Sequence, residues 1–346
     1  MKKLSLCVIV CATVLISGIC VHFGALPVGA VSPGETSVGA SSAAPRSPAP
    51  VTSGPEETES TRSANAVTVS AAYEAPYEEA FIARRWGLSA IDAPAAWAAG
   101  YAGQSVVVAV LDTGIDKASP YLADKVILEA SFADSPTTDD IYGHGTHMAG
   151  ILLAVAPEAK LMNIKVADDR GNCEPSAVAK GIRWAATNGA DVINLSLSTE
   201  ESPELESAVR FAHAKGALVV AAAGNQGSAT PSYPAFYEEC VAVAALDEGG
   251  SLAVLSNHGE WVDVAAPGSD IYSTSPGGEC GYRTGTSPAA AHVSGVAALS
   301  FSAAEDLNEN GLLNDEVREA LEASCSAPQV VDAGGGLVNA LRTVTR

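Results

Sequence analysis

The chain has 346 residues, 47% of them hydrophobic, enough for one large core or two small ones. Its formal net charge is -21, from 40 acidic against 19 basic side chains. Such an excess repels polyanions, which excludes nucleic acid and anionic membrane surfaces as partners.

The chain opens on Lys2 and Lys3, followed by an apolar run over 4–21 and no further charge until Glu35. Small residues Val28 and Ala30 precede a cut after Ala30. The run exceeds the usual signal core of about 7–15 residues and approaches the roughly 18 of a membrane span. Residues 1–30 are therefore read as a secretory signal or an N-terminal membrane anchor. Either reading sends the rest of the chain out of the cytosol, secreted or held at the cell surface. Residues 31–85 begin rich in Ser, Pro, Thr, Ala and Gly and end at Arg84-Arg85. That composition builds no core and reads as a linker or short pro-segment. The globular domain is expected over 86–346.

Within it, apolar runs over 105–112, 159–166, 190–197, 217–224 and 240–246 read as strands covered on both faces. Between them stand helix signals. One runs from Pro175 to a stop at Gly189. The other has Ser202 as N-cap, Pro203 at the first position and Gly216 as stop. Strand–helix alternation predicts an α/β fold, a mostly parallel sheet with helices on both faces. Sites in such sheets form beyond the carboxyl ends of the strands.

Several residues at these boundaries can carry chemistry. Asp112 ends the first strand, either as a turn former or as a functional acid. His144 and His147 lie three apart among glycines, without the intervening Glu of a zinc-protease motif. His147 and His292 read as packed, hydrogen-bonded histidines. Asn225, between Gly224 and Gln226, is a turn residue or an amide donor for a developing oxyanion. Ser287 reads as a helix cap, with Pro288 at the first helical position. The order Asp112, His144, Ser287 is one of the known orders of a catalytic triad. An esterase of the α/β-hydrolase type would need a backbone N–H on the residue after Ser287. Pro288 has none.

In four blocks the chain resembles the subtilisin-like serine proteases. These are VAVLDTGID (108–116), HGTHMAGIL (144–152), AAAGNQG (221–227) and TGTSPAAAHVSG (284–295). DVINLSL (191–197) and VDVAAPGSDIYST (262–274) extend the match. The resemblance covers 86–346 and implies a subtilisin-like three-layer fold and serine endopeptidase activity. It makes Ser287 the nucleophile, His144 its general base, Asp112 the residue that orients His144, and Asn225 an oxyanion donor. It lets Ser196, Leu197 and Ser198 pair with an extended peptide, with Gly171 and Asn172 on the peptide's other side. The implied partner is a peptide or protein substrate, and the expected state is a monomer.

The chain also departs from that family. Pro288 stands where a methionine usually follows the serine, which predicts resistance to peroxide. The short stretch between Gly150 and Pro157 leaves no room for the family's strong calcium loop, so no cofactor is expected to be required. The segment 306–317 half-resembles a calcium loop but ends on Val317, and weak calcium binding is the most it would support. It reads rather as a polar loop with Asn314 as N-cap. Ser198 and Thr199 replace small residues beside the expected substrate groove. Cys173, Cys240, Cys280 and Cys325 could form up to two disulfides in any of three pairings, or remain thiols.

Overall fold

A computed structural model describes residues 85–326 and 332–346. The expected leader over 1–30 and the segment over 31–84 lie outside the described residues. No described helix is long and apolar enough to cross a membrane.

Two short helices, α1 (Trp86–Ala90) and α2 (Ala93–Ala98), lead into β1 (Val107–Asp112). There follow β2 (Val126–Ser131), α3 (His144–Val155), β3 (Lys160–Lys165), α4 (Pro175–Thr187), β4 (Val192–Leu195), α5 (Pro203–Ala214), β5 (Leu218–Ala222), β6 (Cys240–Leu246) and β7 (Val264–Pro267). The order across the sheet is β2-β3-β1-β4-β5-β6-β7, and every pairing is parallel. A separate antiparallel hairpin, β8 (Ile271–Ser275) and β9 (Glu279–Arg283), leads to α6 (Thr286–Phe301). The helices α7 (Asn314–Ser324) and α8 (Ala340–Val344) follow.

Side chains alternate between the two faces of a strand, and in every strand of the sheet but the edge strand β2 both faces are buried. Val108, Val110, Leu161 and Val220 join a core with Ala149 and Leu152 of α3 and Val293 and Val296 of α6. Their neighbours Ala109, Leu111, Met162 and Val219 join a second core with Val178 and Ile182 of α4 and Leu205 and Val209 of α5. Two opposed cores on one parallel sheet give the three-layer α/β architecture expected. Every residue of α6 except Ser287 is buried, which suits a helix apolar on all sides.

The helix ends show which local expectations hold. Ser202 caps α5, accepting from the Leu205 N–H at 3.4 Å, with Pro203 as first residue. Ser287 is not a cap. Gly285 holds the cap position and α6 starts at Thr286, so Pro288 is its third residue. The helix begins early because the Thr286 N–H already has an acceptor, Asn225 Oδ1 at 2.8 Å. The missing N–H of Pro288 still falls among the first four, which have no partner inside a helix. Asn314 likewise is the first residue of α7 rather than its cap, and its Nδ2 donates to His213 O at 3.1 Å.

Candidate active site

Asp112 is the last residue of β1, and Ser196 follows the last residue of the neighbouring β4. Both stand at the carboxyl edge of the sheet, where the helices α3 and α6 begin. His144 opens α3. Its Nδ1 lies 2.8 Å from Asp112 Oδ1 and 2.9 Å from Oδ2. Asp112 is 2% exposed, and its Oδ1 also accepts from the Thr113 N–H at 2.7 Å. The close fit of the two segments depends on Gly145. A Cβ there would stand 2.1 Å from Gly114 O, so no larger residue lets the helix approach the strand end.

Burial works against a charge on His144. The Asp112 carboxylate, through its charge and its hydrogen bond, outweighs it and holds His144 above the ordinary imidazole range. Arg283 opposes this effect, and Asp140 reinforces it. His147 behaves oppositely: burial depresses it to about 3, so it is neutral at working pH. Its Nε2 donates to Gly281 O at 3.2 Å. His292 is held down to about 4 by burial, with Nδ1 donating to Pro288 O at 2.9 Å. Both are packed, hydrogen-bonded histidines.

Ser287 sits in the first turn of α6, near the positive end of the helix dipole. Its hydroxyl donates to Ser196 O at 3.0 Å rather than to His144. In return, the Ser196 hydroxyl donates to Ser287 O at 3.0 Å. Asn194 Nδ2 donates to Ser196 Oγ at 3.0 Å, and Ser294 Oγ donates to Asn194 Oδ1 at 2.9 Å. This chain of bonds fixes the start of α6 against β4.

Asn225 lies just past β5 in a turn that requires Gly224, whose φ is +104°. Its Oδ1 accepts from the Thr286 N–H at 2.8 Å and the Thr286 hydroxyl at 3.0 Å. These bonds engage the carbonyl oxygen of the side chain and fix its orientation. Asn257 braces the turn: its Oδ1 accepts from the Gln226 and Ser228 N–H groups at 3.0 and 3.2 Å.

One expected substrate segment, Gly171–Asn172, is exposed, and the other rises from the core to the surface. Gly171 and Asn172 cap a turn in which the Asp168 N–H donates to Asn172 O at 2.8 Å and the Gly171 N–H to Asp168 O at 3.0 Å. Beyond β4, Ser196 is buried, Leu197 is half-buried and Ser198 is exposed. Cys173 Sγ lies 3.9 Å from Ser198 O and joins the two segments. Cys173, Cys240, Cys280 and Cys325 are all free thiols, and burial pushes Cys173 up to about 11.

Sequence reasoning missed several residues here. Lys165 is fully buried, donates to Thr113 O and Asp139 O, and pairs with Asp169 at 2.9 Å. It pins the turn after Asp112. The ring of Tyr142 packs on Gly171, where a Cβ would meet it at 3.0 Å. The hairpin β8–β9 grips α3, with Thr274 Oγ1 donating to Thr146 O and Ser273 Oγ to His147 O, both at 2.8 Å. A buried lysine ending an apolar strand was the one visible signal among these.

Among the described residues, no group of three or more His, Cys, Asp or Glu could hold a metal. In the loop 306–312, the Asp306 carboxylate accepts from the Asn310 and Gly311 N–H groups at 3.2 and 2.8 Å. After α3 only residues 156–159 precede β3.

Comparison with known proteins adds an independent line. The model of the subtilase family matches residues 103–337. Thermitase from Thermoactinomyces vulgaris is 40% identical over 285 residues, 78% of this chain and 99% of the relative. Subtilisin Savinase from Lederbergia lenta is 41% identical over 267 residues, 74% of this chain and 96% of the relative. A solved protease structure from Pseudoalteromonas arctica superposes with a TM-score of 0.69 at 28% identity, covering 76% of this chain and 96% of that one.

Proposed function

The chain belongs to the subtilase family of serine endopeptidases, and from that premise we propose that it is an exported peptidase working through Asp112, His144 and Ser287. The carrying observation is the bond between His144 Nδ1 and the buried Asp112 carboxylate at 2.8 Å. It fixes the tautomer in which Nε2 is free to accept a proton.

In this reading the Ser287 hydroxyl gives its proton to His144 Nε2 as Oγ attacks the scissile carbonyl. The imidazolium is stabilised by Asp112. The oxyanion of the tetrahedral intermediate accepts from the Asn225 amide and the Ser287 N–H. His144 then hands the proton to the leaving amine, and an acyl-enzyme ester remains on Ser287. Water, deprotonated by His144, releases the acid and restores the serine.

The substrate lies extended between Ser196–Ser198 and Gly171–Asn172, adding a strand to the exposed backbone. The exposure of Ser198, Gly171 and Asn172 supports this. Bulk at Ser198 and Thr199 narrows that groove. The protein acts as a monomer and needs no cofactor. Residues 1–30 export the chain as a cleaved signal or retained anchor, 31–85 are a linker or short pro-segment, and 86–346 form the peptidase domain.

The test is covalent labelling of Ser287 in the exported protein by a serine-directed phosphonate. Labelling abolished by Ser287→Ala is the expected result. Absence of labelling in the folded protein would mean a silent, protease-fold binding scaffold.

A further inference from the structure

Asp140 lies in the segment between β2 and α3, outside every regular element, and is 3% exposed. A buried carboxylate is costly unless its oxygens are satisfied. Here both are. Oδ1 accepts from the Thr113 hydroxyl at 2.8 Å and the Gly143 N–H at 2.7 Å. Oδ2 accepts from the Thr146 N–H at 2.8 Å and the Thr146 hydroxyl at 2.7 Å.

Every donor flanks the triad. Thr113 follows Asp112, Gly143 precedes His144, and Thr146 lies in the first turn of α3. The Thr113 hydroxyl also accepts from the Gly145 N–H at 3.0 Å. The residues before and after His144 are thus tied to Asp140, one directly and one through a single hydroxyl. The two hydroxyls are committed as well, since Thr146 Oγ1 accepts from the Asp116 N–H at 3.0 Å. Each Asp140 oxygen faces one backbone N–H, whose direction is fixed. A carboxyl group offers an oxygen acceptor on both sides. An asparagine would turn its NH₂ onto one of those N–H groups.

We propose that Asp140 is a positioning residue for the reaction, clamping the strand end that carries Asp112 to the helix start that carries His144. This rests on the triad reading above. Position matters because a displacement of about 1 Å at reacting groups can cost roughly 10²-fold in rate. The clamp has an electrostatic side as well. The charged and titratable groups around His144 are Asp112 from β1, Asp140, Arg283 from β9, and His147 on the next turn of α3. The two carboxylates favour the imidazolium, and Arg283 disfavours it.

The experiment compares the exported wild type with Asp140→Asn. The expected result is a fall in kcat of about 10²-fold, with KM nearly unchanged and the acid limb of kcat/KM moved to lower pH. The limb moves that way because losing a negative charge makes His144 easier to deprotonate. A kcat that is unchanged, or that falls while the limb stays in place, overturns the proposal. Should Asp140→Asn lack a cooperative unfolding transition, Thr113→Val decides. A fall in kcat at constant KM supports the clamp, and an unchanged kcat overturns it. Phosphonate labelling of wild-type Ser287 separates the two levels. No labelling there removes the triad reading and the clamp together. Labelling with a wild-type kcat in the variant removes the clamp alone.

Discussion

One N–H of His144 is shared between both oxygens of Asp112, at 2.8 and 2.9 Å. The carboxylate is buried, so its attraction for the imidazolium is weakly screened. Burial alone would lower the histidine, but Asp112 raises it past its ordinary 6.5. Only the neutral ring can take the Ser287 proton. The acid limb of kcat/KM is therefore expected above pH 6.5. In Asp112→Asn it drops below the wild-type position, and kcat falls by about 10⁴-fold, as on removal of a triad carboxylate. Initial rates across pH on a soluble peptide check both. A wild-type limb at or below 6.5 contradicts this account.

Asn225 is held by its carbonyl oxygen through Thr286, and in the proposed mechanism its amide serves the oxyanion. Asn225→Ala is expected to lower kcat by about 10²–10³-fold while KM changes little. Steady-state kinetics on the same peptide measure the split. An effect confined to KM would place Asn225 in ground-state binding instead.

His147 and His292 govern acid stability. In the unfolded chain both take up protons near pH 6.5, but in the folded chain only near 3 and 4, because burial disfavours their charge. Between those values the unfolded state binds more protons, so stability falls as pH drops from about 6.5 to 4. Melting temperature against pH, measured in a Ser287→Ala background to prevent self-digestion, should show this slope. His292→Asn keeps a donor for Pro288 O and should flatten the slope. An identical slope in that variant would rule out His292 as a contributor.

Peroxide should spare the activity. Pro288 occupies the position after Ser287, and Met148 and Met162 are 0% and 1% exposed. No described methionine is therefore open to sulfoxide formation near Ser287. Residual activity after peroxide, with thiols reversibly blocked, is expected to match the untreated control. Loss that follows no thiol oxidation would show another sensitive group.

Five strands of the sheet were readable because they are buried on both faces, whereas the edge strand β2 has no buried residue and gave no such run. Continuous apolar runs ending at Asp112, Leu195 and Ala222 carry that signature. Asp112, His144, Asn225 and Ser287 were readable because each sits in a distinctive glycine-bearing block. What escaped was whatever depends on a partner distant in sequence. The start of α6 was misplaced because Asn225 supplies the acceptor for Thr286 across 61 residues. Asp140 carries no signal in the sequence, because its partners Thr113, Gly143 and Thr146 meet it only in the fold. The hairpin β8–β9 has only five residues per strand, part of it exposed, and gives no continuous apolar run.

Ser287 stands on a helix whose other residues are all buried. Amide hydrogens of a core helix are expected to be among the slowest of a domain to exchange with solvent. Ser287 thus stands on a core helix, and not on an exposed loop. Activity and fold are therefore expected to be lost at the same temperature on heating, with no inactive but folded interval between them.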